Sequence, residues 1–202
     1  MKIKNKKGFT LAELLIVVAI IAVLVAVAIP IFTSQLEKAR QAVDMQNARA
    51  IQSALTNAYN TGEIDLGNCK YGEGVWVLIC RDESSKPSRY DKDWNFTYNN
   101  TLFCGADANT IIKGRKVTKV SYENEIEQIL KEYGINVDSL KIKSSKDSNK
   151  KKGWDWIVIQ MVNGNGMAQS CMFSGFAGIS SAYKDAYGKD MDNLNKIISG
   201  NR

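Results

Sequence analysis

The distribution of apolar residues divides the chain into a long hydrophobic stretch near its start and a mixed region that follows. Residues 9–32 read FTLAELLIVVAIIAVLVAVAIPIF, which is 24 residues with a single charged side chain, Glu13. At about 1.5 Å per residue a helix of this length reaches about 36 Å, and the hydrocarbon core of a bilayer is about 30 Å thick. The pattern therefore predicts a transmembrane helix over residues 9–32.

After residue 32, apolar residues recur every three or four positions, which is typical of an amphipathic helix. The recurring residues are Phe32, Leu36, Ala39, Val43, Ala50, Ala54 and Ala58. The charged residues Glu37, Lys38, Arg40 and Asp44 fall on other faces, and Asn60-Thr61-Gly62 is a plausible end of the helix. We expect residues 33–60 to continue the first helix and to bury one face against a folded domain.

Residues 61–202 mix turn residues with short runs of β-forming residues, a pattern that favours an antiparallel sheet. We predict strands at 75–80, 94–98, 110–112 and 140–143, a hairpin of 154–162 with 167–173, a helix that Ser121 caps and Gly134 ends, and a C-terminal helix over 180–198. The predicted fold class is α+β, with a long N-terminal α-helix packed on a small antiparallel β-sheet head.

The charge is concentrated at the start of the chain. The net charge is +6 and the isoelectric point is about 9.0. Residues 1–8 contain Lys2, Lys4, Lys6 and Lys7 and no acid, so the residues after Gly8 sum to only +2. A basic segment before an apolar helix stays in the cytoplasm, which places the bulk of the chain outside. The basic isoelectric point therefore gives little support to a nucleic-acid partner.

The residue types also bear on catalysis. The chain contains no histidine, which removes the commonest general base and every histidine-ligated metal site. We find no pairing of a nucleophile with a base and no spacing typical of metal ligands. The sequence therefore predicts a protein that is not an enzyme, with no cofactor and no metal.

Three interpretations of the N-terminal region compete. The first is a secretory signal peptide cut after Ala28, because Ala26-Val27-Ala28 is a small-x-small sequence. The apolar stretch is longer than the core of an ordinary signal peptide, however, and it carries Glu13 near its start. The second is a plain single-pass anchor, which explains the length but leaves an acid in a membrane segment without a purpose.

The third interpretation accounts for both features. Lys7-Gly8-Phe9-Thr10-Leu11-Ala12-Glu13, followed by an apolar stretch with Pro30, resembles the class III signal of type IV pilins and of their pseudopilin relatives. The resemblance implies cleavage between Gly8 and Phe9 by a prepilin peptidase/methyltransferase, which also N-methylates Phe9. Residues 1–8 are then a leader peptide, 9–32 the filament-core helix, 33–60 its amphipathic continuation and 61–202 the head of a lollipop-shaped subunit.

Glu13 and Pro30 then take on roles in assembly. A carboxylate and an α-amine at 4 Å attract by about 4 kcal/mol before desolvation, at an effective dielectric constant near 20. If helices bundle, the Phe9 amine of one subunit pairs with Glu13 of a neighbour and sets the register, since a misplaced copy leaves a charge unpaired. The alternative is a tolerated acid near the membrane interface. Pro30 should kink or loosen the helix.

Four cysteines lie in the exported part of the chain: Cys69, Cys80, Cys104 and Cys171. An even count outside the cell suits two disulfides, and sequence alone leaves all three pairings open. We favour Cys69–Cys80, which closes a local loop, and Cys104–Cys171, which ties the middle of the head to the hairpin. Free buried thiols are the alternative. The absence of any C-x-x-C pair argues against a zinc site.

A run of basic residues ends with Lys146, Lys150, Lys151 and Lys152. Such a loop could contact extracellular DNA, teichoic acids or acidic glycans through its charge. The alternative is a solvated loop, which the lack of interleaved aromatic residues favours.

These observations together predict a structural subunit of a type IV pilus. The resemblance implies insertion into the cytoplasmic membrane as a single-pass precursor and extraction by a pilus assembly platform. The product is a homopolymeric extracellular filament that serves adhesion, twitching motility or biofilm formation. The alternatives are a minor pilin or adhesin, a pseudopilin of a type II secretion or DNA-uptake system, and a secreted binding domain cut after Ala28.

Overall fold

The computed structural model of the chain describes residues 9–82, 85, 101–119, 121–144, 154–175 and 192–193. The chain forms two compact units, a first unit of Met1–Ala39 and a second unit of Arg40–Arg202. The predicted leader at 1–8, the predicted strand at 94–98 and Lys146, Lys150, Lys151 and Lys152 lie outside the described residues.

The first helix, α1, runs without interruption from Leu11 to Asn60. Its continuation past residue 32 and its end at Asn60 are as the sequence predicts. The end is a turn in which Gly62 takes a φ of +81°, a backbone conformation that favours glycine. Pro30 lies inside the helix, and the Thr33 hydroxyl donates to the Pro30 carbonyl oxygen at 3.0 Å.

The later part of α1 contributes to the hydrophobic core of the second unit. Its buried residues recur every three or four positions, as one face of a helix requires. They are Asp44, Ala48, Ile51, Ala54, Leu55 and Ala58. Asp44 is therefore the first position at which α1 is buried, so its predicted place on another face is wrong: its carboxylate is buried because it accepts hydrogen bonds from two backbone amides.

The second unit contains a six-stranded sheet in which every neighbouring pair is antiparallel. The strands in the described part of the chain are β1 Ile64–Asp65, β2 Gly74–Cys80, β3 Leu102–Ala106, β4 Ile111–Ile112, β5 Arg115–Lys116, β6 Ser121–Tyr122, β7 Trp156–Gly164, β8 Met167–Gly175 and β9 Asp192–Asn193. The order in the large sheet is β6-β3-β2-β7-β8-β9, and β1-β4-β5 form a small separate sheet. The arrangement confirms the predicted α+β class.

The two faces of the large sheet bury different residues. On one face Val77, Ile79 and Ile159 lie in the main core, which also includes Ile51 from α1 and Ile129 from a second helix, α2, at Asn124–Glu132. On the other face a smaller cluster consists of Trp76, Leu78, Cys80, Phe103, Trp156 and Val158. All seven residues of β2 are consequently buried, because both of its faces are covered.

Three predicted elements differ from the structure. Ser121 does not cap α2, because it lies in β6, where it pairs with Ala106 of β3, and the helix begins three residues later. Residues 140–143 are not a strand, because the Ile142 amide donates to the Cys80 carbonyl while the Lys143 amide donates to a side chain of α1. In the predicted helix over 180–198, the described residues Asp192 and Asn193 pair with β8 as a strand.

Candidate functional site

The predicted processing site precedes α1. Gly8 lies outside the described residues, whereas Phe9 and Thr10 are described and come directly before the first helical residue, Leu11. The Phe9 side chain is 85% exposed. Cleavage and methylation at this position stay predictions, and the described residues leave Phe9 accessible to such chemistry.

Glu13 has a defined environment at the start of α1. One of its carboxylate oxygens accepts hydrogen bonds from the Thr10 amide and from the Thr10 hydroxyl, both at 2.8 Å. The Glu13 amide donates in return to the Thr10 hydroxyl at 3.3 Å. This reciprocal pair is a capping box, which satisfies amide groups that the first turn of a helix leaves free.

Thr10 is thus a site residue that the sequence analysis did not single out for a role. The spacing T-x-x-E before an apolar run is the signal that could have identified it. The capping box holds the Glu13 carboxylate beside the first turn, exposed and with further acceptor capacity. An incoming cationic group could therefore pair with Glu13 without breaking the cap.

The main surface feature of the first unit is the apolar stretch itself. Its large apolar residues from Phe9 to Phe32 are between 47% and 85% exposed. Residues Leu11–Asn60 include a window apolar enough, and are long enough, to cross a membrane. A contiguous apolar surface of this extent marks an interaction with a membrane or with other protein chains.

Comparisons with known proteins agree with this geometry. Residues 3–29 match the family described as the prokaryotic N-terminal methylation motif. The type IV narrow pilus major component PilA5 of Thermus thermophilus is 32% identical over 113 residues, which cover 54% of this chain and 87% of that protein. The chain belongs to the type IV pilin family.

A second relative of this pilin is the fimbrial protein of Neisseria meningitidis, serogroup A. It is 32% identical over 114 residues, which cover 56% of the pilin and 64% of the Neisseria protein. The match therefore spans less than two thirds of the length of that relative. No solved structure matches the pilin.

The cysteines of the pilin are all free, so the predicted pairings are wrong. Cys104 lies in β3 opposite Val77 and faces the main core. Cys171 lies in β8 opposite Gln160, and its neighbour Met172 faces that core, so Cys171 projects from the other face. Strands β2 and β7 also lie between the two, which separates them by about 14 Å at about 4.8 Å per strand. A disulfide requires Cα atoms within about 7 Å.

Cys69 and Cys80 are separated along the sheet. Cys69 lies near the start of β2, because its sulfur is 3.4 Å from the Thr110 hydroxyl, which in turn donates to the Gly74 carbonyl oxygen at 3.5 Å. Cys80 ends the same strand, about 20 Å from Gly74 at about 3.3 Å per residue, and faces the smaller cluster. A local loop between two cysteines therefore does not bring their side chains together here.

Burial makes these thiols poor nucleophiles. It raises the pKa of Cys171 from 9.0 to about 11. Burial also raises the pKa of Cys104, and the charge of Glu127 raises it a little further. Burial raises the pKa of Cys69 as well, although the hydrogen bond with the Thr110 hydroxyl lowers it in part. A thiol with a raised pKa stays protonated at neutral pH and reacts slowly. Among the described residues, no group of three or more metal-ligating side chains could hold a metal ion.

A buried polar network joins α1 to the backbone on either side of residues 145–153. The Asp44 carboxylate, in a residue only 1% exposed, accepts hydrogen bonds from the Lys143 amide at 2.8 Å and the Ser144 amide at 2.9 Å. The Trp154 amide donates to the Ser144 hydroxyl at 3.2 Å. Arg81 donates to the Ser144 and Trp154 carbonyl oxygens and pairs with Asp155. Ser144 and Trp154, which flank residues 145–153, are thus hydrogen-bonded to each other, and Ser144 is hydrogen-bonded to Asp44 of α1.

Proposed function

We propose that this pilin is a structural subunit of a type IV pilus, cleaved between Gly8 and Phe9, N-methylated at Phe9 and polymerised through residues 9–32. The observation that carries the proposal is the exposure of an apolar helix that begins within the methylation motif. Burying that surface in a membrane, and then against neighbouring copies, removes it from water at each stage. The protein does no chemistry in this scheme and is not an enzyme.

The pilin meets different partners before, during and after processing. Before assembly the chain is a single-pass protein of the cytoplasmic membrane, with its basic leader inside. A prepilin peptidase/methyltransferase processes it, and an assembly platform transfers it into an extracellular homopolymer that serves adhesion, motility or biofilm formation. In the filament, Glu13 of one subunit pairs with the Phe9 amine of another. The capping box with Thr10 supports this role because it holds the carboxylate exposed at the first turn.

A major subunit is favoured over a minor pilin and over a pseudopilin. The Thermus relative, of which the match covers 87%, is by name the major component of its pilus. Glu13 also supports frequent incorporation of this subunit into the filament, because each copy then carries its own carboxylate to set its register against its neighbours.

The test is the composition of fibres sheared from the cell surface of a strain that makes this chain. We expect this chain to be the most abundant protein of those fibres. In the same strain, Glu13→Ala should leave cleavage intact and reduce the amount of the chain in the fibres at least tenfold. Thr10→Ser, which keeps the hydroxyl of the capping box, is the matched control and should assemble normally. Normal fibres from the Glu13→Ala strain would refute the pairing, and fibres without this chain would refute the proposal.

A further inference from the structure

The hairpin of β7 and β8 contains both Asn-Gly dipeptides of the chain, Asn163-Gly164 and Asn165-Gly166. The side-chain carbonyl carbon of an asparagine that precedes glycine is open to attack by the next backbone nitrogen, because glycine has no side chain to hinder the approach. The two dipeptides have the same sequence and follow each other directly. A large difference in their reactivity would therefore arise from the fold.

Asn163 is hydrogen-bonded through both its backbone and its side chain. Its backbone amide donates to the Glu73 carbonyl oxygen at 2.9 Å, and its carbonyl oxygen accepts from the Gly72 amide at 2.8 Å. Its Nδ2 donates to the Cys69 carbonyl oxygen at 2.6 Å, and its Oδ1 accepts from the Gly166 amide at 2.8 Å. The Asn163 carboxamide is thus held at both ends.

The side chain of Asn165 has a different environment. Asn165 and Gly166 are exposed and form the two-residue turn, with φ of +57° and +89°. Among the residues that the structure describes, none is hydrogen-bonded to the Asn165 side chain. Gly164, whose nitrogen would attack Asn163, is instead buried and pairs with Met167 in the sheet. Asn165 is therefore the more reactive of the two asparagines.

The nitrogen that would attack Asn165 is itself restrained by Asn163. The Gly166 amide donates to Asn163 Oδ1 at 2.8 Å, which is an ordinary hydrogen-bond length. This nitrogen can attack only after it loses its proton, and the hydrogen bond keeps the proton in place and directed toward Asn163. Asn163 thereby opposes a reaction at the residue two positions after it.

We propose that Asn165 is a site of spontaneous deamidation and that Asn163 slows the reaction as a positioning residue. In the first step the Gly166 nitrogen gives its proton to hydroxide and forms a bond to Asn165 Cγ. The Cγ–Nδ2 bond breaks, and the side-chain nitrogen leaves as ammonia with a proton from water. Water then opens the succinimide at either carbonyl carbon and leaves aspartate or isoaspartate. Water and hydroxide are the co-reactants, and nothing is oxidised or reduced.

Deamidation changes the charge of the turn and, in isoaspartate, its backbone length. The residues after Gly8 sum to +2, so a modified chain carries +1 after Gly8. Isoaspartate also adds a carbon atom to the main chain of a turn that has only two residues. The surface of the second unit therefore changes slowly after synthesis, without an enzyme. The reaction requires neither cleavage nor a filament, so its failure is distinguishable from failure of the proposed function.

The experiment incubates the full chain in detergent at mildly alkaline pH. Peptide mapping by mass spectrometry with electron-transfer fragmentation quantifies aspartate and isoaspartate at each asparagine. The chain denatured in urea is the reference, in which the two dipeptides should react at similar rates. In the native chain we expect Asn165 to react about fivefold more slowly than in the reference, the factor that one net hydrogen bond represents. Native Asn163 should react more slowly still.

Two results of this comparison would overturn the proposed site. The first is a native chain that is unmodified at Asn165 when the denatured reference has converted completely. The second is a native chain in which Asn163 reacts as fast as Asn165 or faster, because the hydrogen bonds of Asn163 would then give no protection.

A pair of variants tests the positioning role of Asn163. Asn163→Ala and Asn163→Asp both lose the donor to Cys69, but aspartate keeps an oxygen that can accept from the Gly166 amide. We expect native Asn163→Ala to modify Asn165 about fivefold faster than the wild-type chain, as loss of one hydrogen bond predicts. Native Asn163→Asp should retain the wild-type rate.

Equal rates of Asn165 modification in the two folded variants would overturn the positioning role. The thermal transition of each variant, followed by circular dichroism, shows whether it is folded. If Asn163→Ala unfolds, Asn163→Asp still decides, because a fast reaction of Asn165 in a folded Asn163→Asp chain would overturn the role and the wild-type rate would support it.

Discussion

Glu13 and Asp44 show what a single carboxylate contributes at two points of one helix. Glu13 is exposed and accepts hydrogen bonds from Thr10, three residues earlier, so its neighbours in the sequence suffice to predict its surroundings. Asp44 is buried and accepts from Lys143 and Ser144, about one hundred residues later. No local pattern contains that pairing, and a charged residue at this position in an amphipathic helix reads as solvent-exposed.

The cysteines provide a prediction at the scale of residues. Alkylation of the denatured chain without reductant should add four groups, because all four thiols are free. The same reagent at pH 8 should modify the native chain slowly, since burial raises the pKa of Cys69, Cys104 and Cys171. Intact-mass spectrometry gives both results. Recovery of only two added groups, or of none, would contradict the free thiols.

Because Cys171 is buried, the free energy of unfolding should fall at alkaline pH. The folded chain holds the Cys171 proton more tightly than the unfolded chain does, because the pKa rises from 9.0 to about 11. The contribution of this thiol to the free energy of unfolding is therefore full below pH 9 and is lost as the pH rises toward 11. Cys171→Ser, whose hydroxyl does not titrate there, should flatten that decline in urea titrations.

The elements divide into those that local patterns determine and those that pairing determines. The unbroken α1, the strand β2 and the hairpin of β7 and β8 follow from hydrophobic periodicity, and the structure confirms them. The hairpin turns at Asn165-Gly166, because Asn163 and Gly164 still pair with β8. The sequence predicts a helix cap at Ser121 because serine is a common capping residue. Its backbone instead completes a ladder with β3, a partner that sequence does not identify.

A prediction for the sheet concerns the contact between β2 and β3. Gly105 lies opposite Trp76, and a Cβ atom at that position would overlap the indole ring of the buried Trp76. Gly105→Ala should therefore lower the free energy of unfolding by about 1–3 kcal/mol, as overpacking does in other cores. Equilibrium denaturation in urea measures the change.

The matched control is Gly67→Ala. The nearest atom to a Cβ there is the carboxylate oxygen of Asp65 at 3.2 Å, the end of a flexible side chain. Its effect should stay within about 0.5 kcal/mol. Similar stability losses in the two variants would show that the Trp76 ring does not require glycine opposite it.

The whole molecule combines a unit with little buried surface and a unit with its own core. Among the described residues of α1, every buried one lies at Asp44 or later, in the second unit. Hydropathy predicts the division into an apolar helix and a folded region. It does not predict that the main core and the smaller cluster cover both faces of β2, because those contacts join distant strands.

A truncation tests this division. A chain that begins at Thr33 should fold as a soluble protein with a cooperative thermal transition, since it retains all of the buried residues of α1. A chain that begins at Ala50 loses Asp44 and Ala48 and should lack that transition. Circular dichroism during heating compares the two. A cooperative transition for both chains would contradict a core that depends on the Asp44 turn.

The most direct test of the account is the mass and N-terminal sequence of the mature chain isolated from cells. The account predicts a protein that begins at Phe9 and carries one methyl group on its α-amine. A protein that begins at Ile29 would show an ordinary secretory signal cut after Ala28, and one that retains Met1 would show a plain membrane anchor. Either of these two results would contradict the account.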